Sequence, residues 1–468
     1  MNLLLRILTA TKLFTLISIS SFAQISYQKT FNEALEKAAA SKKPVFVHAG
    51  VSQRILDMKV SGLADDPKVA GFFNKNFVNY RISTDSPEFP DYLTRYTIRS
   101  YPALFFFNSK GELLFKAPHA ARSHNEFLAF GQEALKIFKS GKSLAFYEQK
   151  EKAGTLSIPE FKEYVNMRIQ SGISDNADLV ERYVTSLTVA ELDNYQEVLF
   201  ILKAGPIAYG KAYKLAYTNQ KIIDSIYKYE PEQDRIEIND RIISNTFKIA
   251  VAKKDYNMLS NLNNFISGTH GRNYRQANEQ RTLKSLAFYK AVNDTSNYFS
   301  TASYHYDHTF MRQNVDSLKK LALKNQAAKD ELMASMAKSK ARSVSQVKQQ
   351  VQPGNNVTTI VTRTISVSET NSMTANALNS IAWDFYTMGT RNMTHLTKAM
   401  QWSMRSIEID PDPAYYDTLA HIFYRMKLFD EAILNQNKAI ELLKATPEKK
   451  RQLADAEAEV NKMLERTL

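Results

Sequence analysis

The sequence has no cysteine among its 468 residues. Thiol–disulfide exchange is therefore excluded, because it needs a thiolate nucleophile, and stability must come from core burial instead of disulfide bonds. Glycine and proline are also scarce. With 14 and 13 residues among 468, each makes up about 3% of the chain, whereas the usual shares are roughly 7% and roughly 5%. A long chain with so few helix-breaking residues is predicted to be mostly helical.

Long apolar runs are missing too. The N-terminal apolar stretch, Leu13 to Ile19, is shorter than the roughly 20 residues that a membrane-spanning helix needs. Basic residues precede it, and Ser21-Phe22-Ala23 follows with the spacing of a cleavage site, a pattern typical of secretory signals. We predict that residues 1–23 are removed, that the mature chain starts at Gln24 without a transmembrane span, and that it is exported to the periplasm.

Acidic residues are outnumbered by basic ones, 48 against 61, which gives a net charge of +13 and an isoelectric point near 9.4. Such a balance favours association with acidic surfaces. The basic residues are spread along the chain, however, and no recognised nucleic-acid-binding motif is present. We predict that nucleic acid is not a partner and that the charge is that of a basic envelope protein.

Short apolar runs between residues 43 and 115 predict a buried β-sheet. The runs Pro44 to His48 and Ala103 to Phe107 lie between turn signals. Asp66-Pro67 has the pattern of a helix N-cap followed by proline in the first turn. Asn108-Ser109-Lys110-Gly111 predicts a hairpin turn. Pro102, just before the aromatic strand, indicates a rigid turn in which a cis peptide bond fits.

In this order, the motifs resemble those of secreted thioredoxin-fold proteins, over about Tyr27 to Ser140. In that family a Trp-Cys-x-x-Cys turn follows the first buried strand, and Ala49 to Met58 occupies that place here. The resemblance implies the fold without its thiol chemistry. It also implies a groove for extended polypeptide beside the lost turn and the proline. The implied groove residues are Ser52, Gln53, Arg54, Ile55, Tyr101 and Pro102.

Three histidines are candidates for other chemistry. His48 lies where that family often places an acidic residue serving the cysteines, and without cysteines we predict a structural role. His305 and His308 would share one helix face, but no third ligand with recognisable spacing accompanies them, so we predict no metal site. We also predict no cofactor and no catalytic residue, since paired carboxylates with recognisable spacing, a Gly-rich phosphate loop and a Ser-x-x-Lys arrangement are missing.

Residues 141–324 have helical periodicity without strand-like alternation. Start signals such as Ser157-x-Pro159-Glu160 and Thr188-x-x-Glu191 precede apolar residues at helical spacing. This pattern predicts an all-helical array. Several tyrosines in this range predict packing between helices, with a ligand groove as the alternative: Tyr213, Tyr217, Tyr227 and Tyr229.

Two stretches of the C-terminal part align with each other, Leu378 to Tyr386 with Tyr416 to Tyr424, and Ala399 matches Ala432 downstream. Small residues at fixed places let helices pack closely. The pattern resembles tetratricopeptide repeats, which implies stacked helix pairs with a concave surface for peptides or proteins. A buried packing role is also predicted for both tryptophans, Trp383 and Trp402.

The predicted fold is an α/β thioredoxin-like domain followed by a mostly helical region that ends in tetratricopeptide-like units. The predicted function is non-catalytic binding of a protein or peptide partner in the cell envelope. A structural spacer subunit and a non-redox enzyme using the same cleft are the alternatives, and the oligomeric state stays open. The predicted segments are 1–23 (signal peptide), 24–140 (thioredoxin-like domain), 141–324 (all-helical domain), 325–372 (charged helix and linker) and 373–468 (tetratricopeptide-like repeats).

Overall fold

A computed structural model gives the fold of this chain. The predicted signal peptide and most of the predicted linker lie outside the residues that it describes. The described residues are 24–50, 62–84, 86, 101–320, 324, 327, 331, 370–445 and 450–468.

The chain forms two compact units, Met1–Arg272 and Asn273–Leu468. The first contains a small mixed β-sheet followed by helices, and the described part of the second is helical. The border between the units falls inside the range 141–324, which the sequence analysis treats as one helical domain. None of the described helices combines the length and the apolar character that crossing a membrane requires.

The sequence predicts a β-sheet in this part of the chain, and a five-stranded sheet opens the first unit. Its strands are β1 (Tyr27–Gln28), β2 (Val45–Ala49), β3 (Val78–Ile82), β4 (Ala103–Phe107) and β5 (Leu113–Lys116). The spatial order is β1-β3-β2-β4-β5. β3 is parallel to both β1 and β2, whereas β4 is antiparallel to both β2 and β5. The predicted turn at residues 108–111 therefore joins an antiparallel hairpin.

The inner strands explain the apolar runs in the sequence. β2 and β4 are buried at all five of their positions, which is typical of strands covered on both faces. Because successive side chains of a strand point to opposite faces, the sheet has two separate cores. Phe46 and Phe106 belong to one, and Val47 and Phe105 belong to the other.

Three helices cover these cores, and their predicted caps are present. They are α1 (Phe31–Ser41), α2 (Pro67–Asn76) and α3 (His124–Ser140). α1 packs on the side of Val47, whereas α2 and α3 pack on the side of Phe46. The side chains of Thr30, Asp66 and Ser123 accept hydrogen bonds from backbone N–H groups in the first turns of α1, α2 and α3, respectively. Each cap satisfies donors that a helix start leaves unpaired.

The rest of the first unit is helical and shares one apolar core. Its helices are α4 (Leu144–Lys152), α5 (Ile158–Gln170), α6 (Ala177–Tyr183), α7 (Val189–Leu192), α8 (Tyr195–Ala204), α9 (Lys211–Ala216), α10 (Gln220–Tyr229), α11 (Glu232–Lys253) and α12 (Tyr256–Thr269). The predicted start signals at Ser157 and Thr188 form capping boxes at α5 and α7. α4 and α5 also contact β5, so that sheet and helices are continuous within this unit.

The predicted packing role of the four tyrosines holds for three of them. Tyr213 is buried, and its ring stacks on that of Tyr217 at a centroid distance of 4.2 Å. Tyr217 and Tyr227 pack, partly buried, against the same core. The prediction is wrong for Tyr229, which is 69% exposed. It is the last residue of α10, and the buried face of that helix ends at Ile226.

The second unit begins with two long helices and continues in a repeat-like series. The helices are α13 (Tyr274–Ala291), α14 (Thr295–Thr309), α15 (Thr370–Thr387), α16 (Met393–Ile409), α17 (Pro413–Arg425), α18 (Phe429–Lys444) and α19 (Lys450–Glu465). From α15 onward, each helix packs against the next. The alanines at matching positions of the two aligned stretches are fully buried, as predicted: Ala382, Ala399, Ala420 and Ala432.

The two tryptophans differ in how deeply they are buried. Trp402 is fully buried, as predicted, and its indole N–H donates to Asp307 Oδ1 at 2.9 Å. Trp383 is 36% exposed, so the buried role predicted for it is wrong. Ala382 and Phe385, on the same helix α15, take the places that face the core. The Trp383 ring instead stacks on Tyr386, at a centroid distance of 5.1 Å.

Candidate functional site

The groove implied by the sequence lies where β2 ends and β4 begins. These strands pair so that Ala49 is opposite Ala103, which brings Gly50 and Pro102 to the same edge of the sheet. The Tyr101–Pro102 peptide bond is cis, as the sequence indicates. Only two of the six predicted groove residues, Tyr101 and Pro102, are among the described residues. The others, Ser52, Gln53, Arg54 and Ile55, lie outside them.

Tyr101 is a half-exposed aromatic residue at this edge, with 49% of its surface exposed. Its ring lies directly over Gly50, where an added Cβ would come within 2.3 Å of Tyr101 Cδ1. Gly50 has a φ of +90°, which L side chains rarely adopt. Its N–H donates to Ile82 O at 3.0 Å. A glycine is therefore needed here both for the backbone and for the position of the Tyr101 ring.

His48 lies two residues before Gly50 and points into the core. It is 5% exposed, and its ring packs among those of Phe46 and Phe127, at centroid distances of 5.9 and 6.1 Å. Nδ1 is 3.1 Å from the Tyr27 hydroxyl. Among the described residues, Nε2 is buried without a hydrogen-bond partner. Within that part of the chain, the imidazole is therefore hydrogen-bonded at one nitrogen only.

The electrostatic surroundings keep this imidazole neutral. Burial, with a smaller contribution from the Arg81 charge, lowers the pKa of His48 to about 3. The Arg81 guanidinium lies 4.0 Å from the centre of the Tyr27 ring. A general base must accept a proton near the working pH, and His48 does so only in strong acid. Its burial and its lowered pKa favour the predicted structural role over a catalytic one.

His305 and His308 lie on α14, but they do not share one environment. His305 is buried, with its ring 5.8 Å from that of Phe310, and burial lowers its pKa. His308 is exposed and stacks on Tyr304 at a centroid distance of 4.3 Å. Across the described ranges, no group of three His, Cys, Asp or Glu side chains is placed to hold a metal ion.

A groove in the second unit was not predicted from the sequence; Trp383 and His421 line it together. Their rings meet edge to face at a centroid distance of 5.3 Å. The two residues occupy equivalent positions in the aligned stretches 378–386 and 416–424. That equivalence was a usable signal, because matching positions on repeated helices point to the same side of the array.

Comparison with known proteins assigns no function to the edge at Tyr101 or to the groove beside Trp383. A scan against protein-family models matches no family, and a search of curated proteins finds no match.

Proposed function

We propose that this protein is an exported, non-catalytic binding protein. A thioredoxin-like domain at its N-terminus and tetratricopeptide-like helices at its C-terminus would present surfaces to polypeptide partners. The absence of cysteine from the sequence supports a redox-inactive role, because exchange requires a sulfur nucleophile.

Several features of the first unit support the thioredoxin-like assignment. The strand order β1-β3-β2-β4-β5, with β4 antiparallel to its neighbours, agrees with the fold that the resemblance implies. Helices on both faces of the sheet agree with it as well. In the second unit, the buried alanines at repeated positions support the tetratricopeptide-like assignment.

The half-exposed ring of Tyr101 is the observation that carries the binding proposal. Tyrosine rings offer a large contact area that is apolar on its faces and polar at its tip, and they are enriched in interfaces. Gly50 leaves room for this ring at the edge where β2 ends and β4 begins, because a Cβ at that position would come within 2.3 Å of Tyr101 Cδ1. A partner segment would therefore meet an exposed aromatic surface at this edge.

Site-specific photocrosslinking tests this proposal. Tyr101 is replaced by a photoreactive phenylalanine analogue in the full chain, which is then irradiated in its own cell envelope. We expect covalent adducts with a defined polypeptide from position 101. The matched control places the same analogue at Tyr274, which is 78% exposed, and should give no such adduct.

Equal adducts from both positions, or none from position 101, would favour the structural spacer over the binding protein. Export has a separate test. Sequencing the N-terminus of the protein purified from envelope should give Gln24 as its first residue. A chain that still begins at Met1 would contradict export with cleavage without affecting the binding proposal.

A further inference from the structure

The residues that follow the predicted cleavage site are part of the folded first unit. The structure describes the chain from Gln24, at which the mature protein is predicted to start. β1 begins at Tyr27, three residues further on. It pairs with β3 in parallel, with Tyr27 opposite Asn79. We call residues 24–28 the N-terminal segment. The predicted cleavage site therefore leads almost directly into an edge strand of the sheet.

Asn74 of α2 binds the backbone of this segment with both ends of its side-chain amide. Its Nδ2 donates to Gln24 O at 3.0 Å, and its Oδ1 accepts from the Ser26 N–H at 2.9 Å. A side-chain amide can donate and accept at the same time. Asn74 therefore satisfies two backbone groups of the N-terminal segment, much as a neighbouring strand would.

Asn79 of β3 adds a hydrogen bond from inside the sheet. Its Nδ2 donates to Ser26 O at 3.2 Å and to Asn74 Oδ1 at 3.1 Å. Asn79 is only 2% exposed, and in the described part of the chain its Oδ1 is buried without a hydrogen-bond partner. A buried oxygen without a donor destabilises a fold, so an apolar side chain would suit this position better. The asparagine instead provides the connection to Ser26 and Asn74.

Ile25 holds the same segment by burial. Its side chain is 5% exposed and belongs to the core that contains Phe46 and Phe73. Burial removes its apolar surface from water and so favours the docked segment. Gln24 and Ser26, on either side of it, are exposed. The N-terminal segment is therefore held by backbone hydrogen bonds near the surface and by one isoleucine inside the unit.

These contacts conflict with removal of the signal peptide from a folded chain. Signal peptidase would hydrolyse the Ala23–Gln24 peptide bond, in which water leaves a carboxylate on Ala23 and an amine on Gln24. A protease has to hold the chain beside that bond in its own cleft, but the backbone of Gln24 and Ser26 is engaged within the fold. A folded segment becomes a substrate when it opens locally, and the cleavage rate then follows the population of the open form.

We propose that the fold hides its own processing site: the signal peptide is removed before β1 docks on β3, and a precursor that folds first is a poor substrate for signal peptidase. The chain then has to reach the protease unfolded, which means that it is exported as an unfolded polypeptide. This inference rests on the export and cleavage proposed above and adds the order of events. It does not involve the binding surface at Tyr101.

Cleavage of the full precursor, residues 1–468, before and after folding tests the inference. Precursor purified in urea is diluted into detergent micelles, either directly onto a signal peptidase or with the enzyme added after refolding, which circular dichroism verifies. Intact-mass spectrometry follows the loss of residues 1–23. The directly diluted precursor should be cut at least about tenfold faster, because it meets the enzyme before β1 has docked.

Asn74→Ala is the decisive variant, because it removes the hydrogen bonds to Gln24 and Ser26 together. In the refolded precursor it should raise the cleavage rate about fivefold, since the docked form loses bonds that the open form does not have. Asn76→Ala is the matched control on the same helix. Its amide donates to Phe72 O and not to the N-terminal segment, so the rate should stay unchanged.

Hydrogen exchange of the mature full chain separates a local effect of Asn74→Ala from a general loss of stability. The variant should lose protection in a peptide that covers residues 24–28 and keep it in β2 and β4.

Equal cleavage rates for the directly diluted and the refolded precursor would overturn the inference and leave cleavage itself intact. Equal acceleration by Asn74→Ala and Asn76→Ala would overturn the role of the hydrogen bonds to the N-terminal segment. If neither preparation is cut between Ala23 and Gln24, export with cleavage is contradicted, and the order of events inferred here falls with it.

Discussion

The sheet of the first unit and the helix pairs of the second bury their apolar residues by different means. In the sheet, large aromatic side chains meet: the Phe106 ring lies 5.3 Å from those of both Phe46 and Phe77. In the helix pairs, fully buried alanines such as Ala420 and Ala432 bring the backbones together. The sheet core therefore depends on large side chains that fill it, whereas the helix contacts depend on small side chains that let the backbones approach.

Buried polar groups in this chain are satisfied to different degrees. Among the described residues, the imidazoles of His48 in the sheet and of His305 in the second unit each leave Nε2 without a hydrogen bond. In the second unit, the partly buried Asp307 pairs with Lys398 and accepts from the indole of Trp402. A buried imidazole that is only partly satisfied makes stability depend on pH, whereas a paired group joins the elements that carry the two partners.

The largest effect is expected from removing an aromatic ring of the sheet. Phe106→Ala should lower the free energy of unfolding by about 3–5 kcal/mol, since it leaves a cavity among packed rings. Hydrogen exchange followed by mass spectrometry should show the loss of protection in peptides from residues 24–140. Tyr229→Ala removes an exposed ring and serves as the control. A loss for Phe106→Ala no larger than that of the control would mean that the aromatic core is not what stabilises the sheet.

The second largest effect should be a dependence of the free energy of unfolding on pH. Folded His48 has a pKa of about 3 against an ordinary 6.5, so the unfolded state binds more protons between these values. The contribution of His48 to stability is therefore complete above pH 6.5 and decreases as the pH falls. Each pH unit below 6.5 lowers the free energy of unfolding by up to about 1.4 kcal/mol. His48→Phe should accordingly reduce the destabilisation between pH 6.5 and pH 5 by up to about 2 kcal/mol.

Urea titrations of both proteins at these two pH values measure the difference. His308→Phe, at an exposed position of α14, should keep the pH response of the parent protein. If His48→Phe keeps it as well, the imidazole is not held neutral by burial.

The comparison also separates what the sequence could predict from what it could not. Caps at Thr30, Asp66 and Ser123 were predictable because they depend on residues three or fewer positions apart. Fully buried strands were predictable because their apolar runs are continuous. These signals are local, and the structure reproduces them.

The side-chain environments were less predictable, because they depend on residues distant in the chain. Trp383 is of a residue type that is usually buried, but the neighbouring helices leave the groove open, and its side chain stays partly exposed. The groove that Trp383 and His421 line also joins α15 with α19, across residues too far apart for a short motif. His305 and His308 have the spacing of a shared face, and the helices packed around α14 decide that only the first is buried.

A third effect tests the alanine contacts of the second unit. Ala420→Leu adds volume where the chain is 0% exposed and Ala432 and Met463 belong to the same core. Overpacking of this kind should cost about 1–3 kcal/mol, seen as a lower melting temperature. Ala458→Leu, at an exposed position of α19, is the control with the same added volume. Equal melting temperatures for the two variants would argue against close helix packing at Ala420.

The smallest effect should come from Trp383. Trp383→Phe changes a partly exposed side chain that makes no hydrogen bond with the described residues, so its effect on the free energy of unfolding should stay within about 0.5 kcal/mol. Trp402→Phe is the contrasting variant, because it empties buried space and leaves Asp307 Oδ1 without its indole donor. That loss should cost about 1–3 kcal/mol. Urea unfolding followed by far-ultraviolet circular dichroism compares the two without relying on tryptophan emission. A cost for Trp383→Phe as large as that for Trp402→Phe would mean that the indole of Trp383 supports the fold.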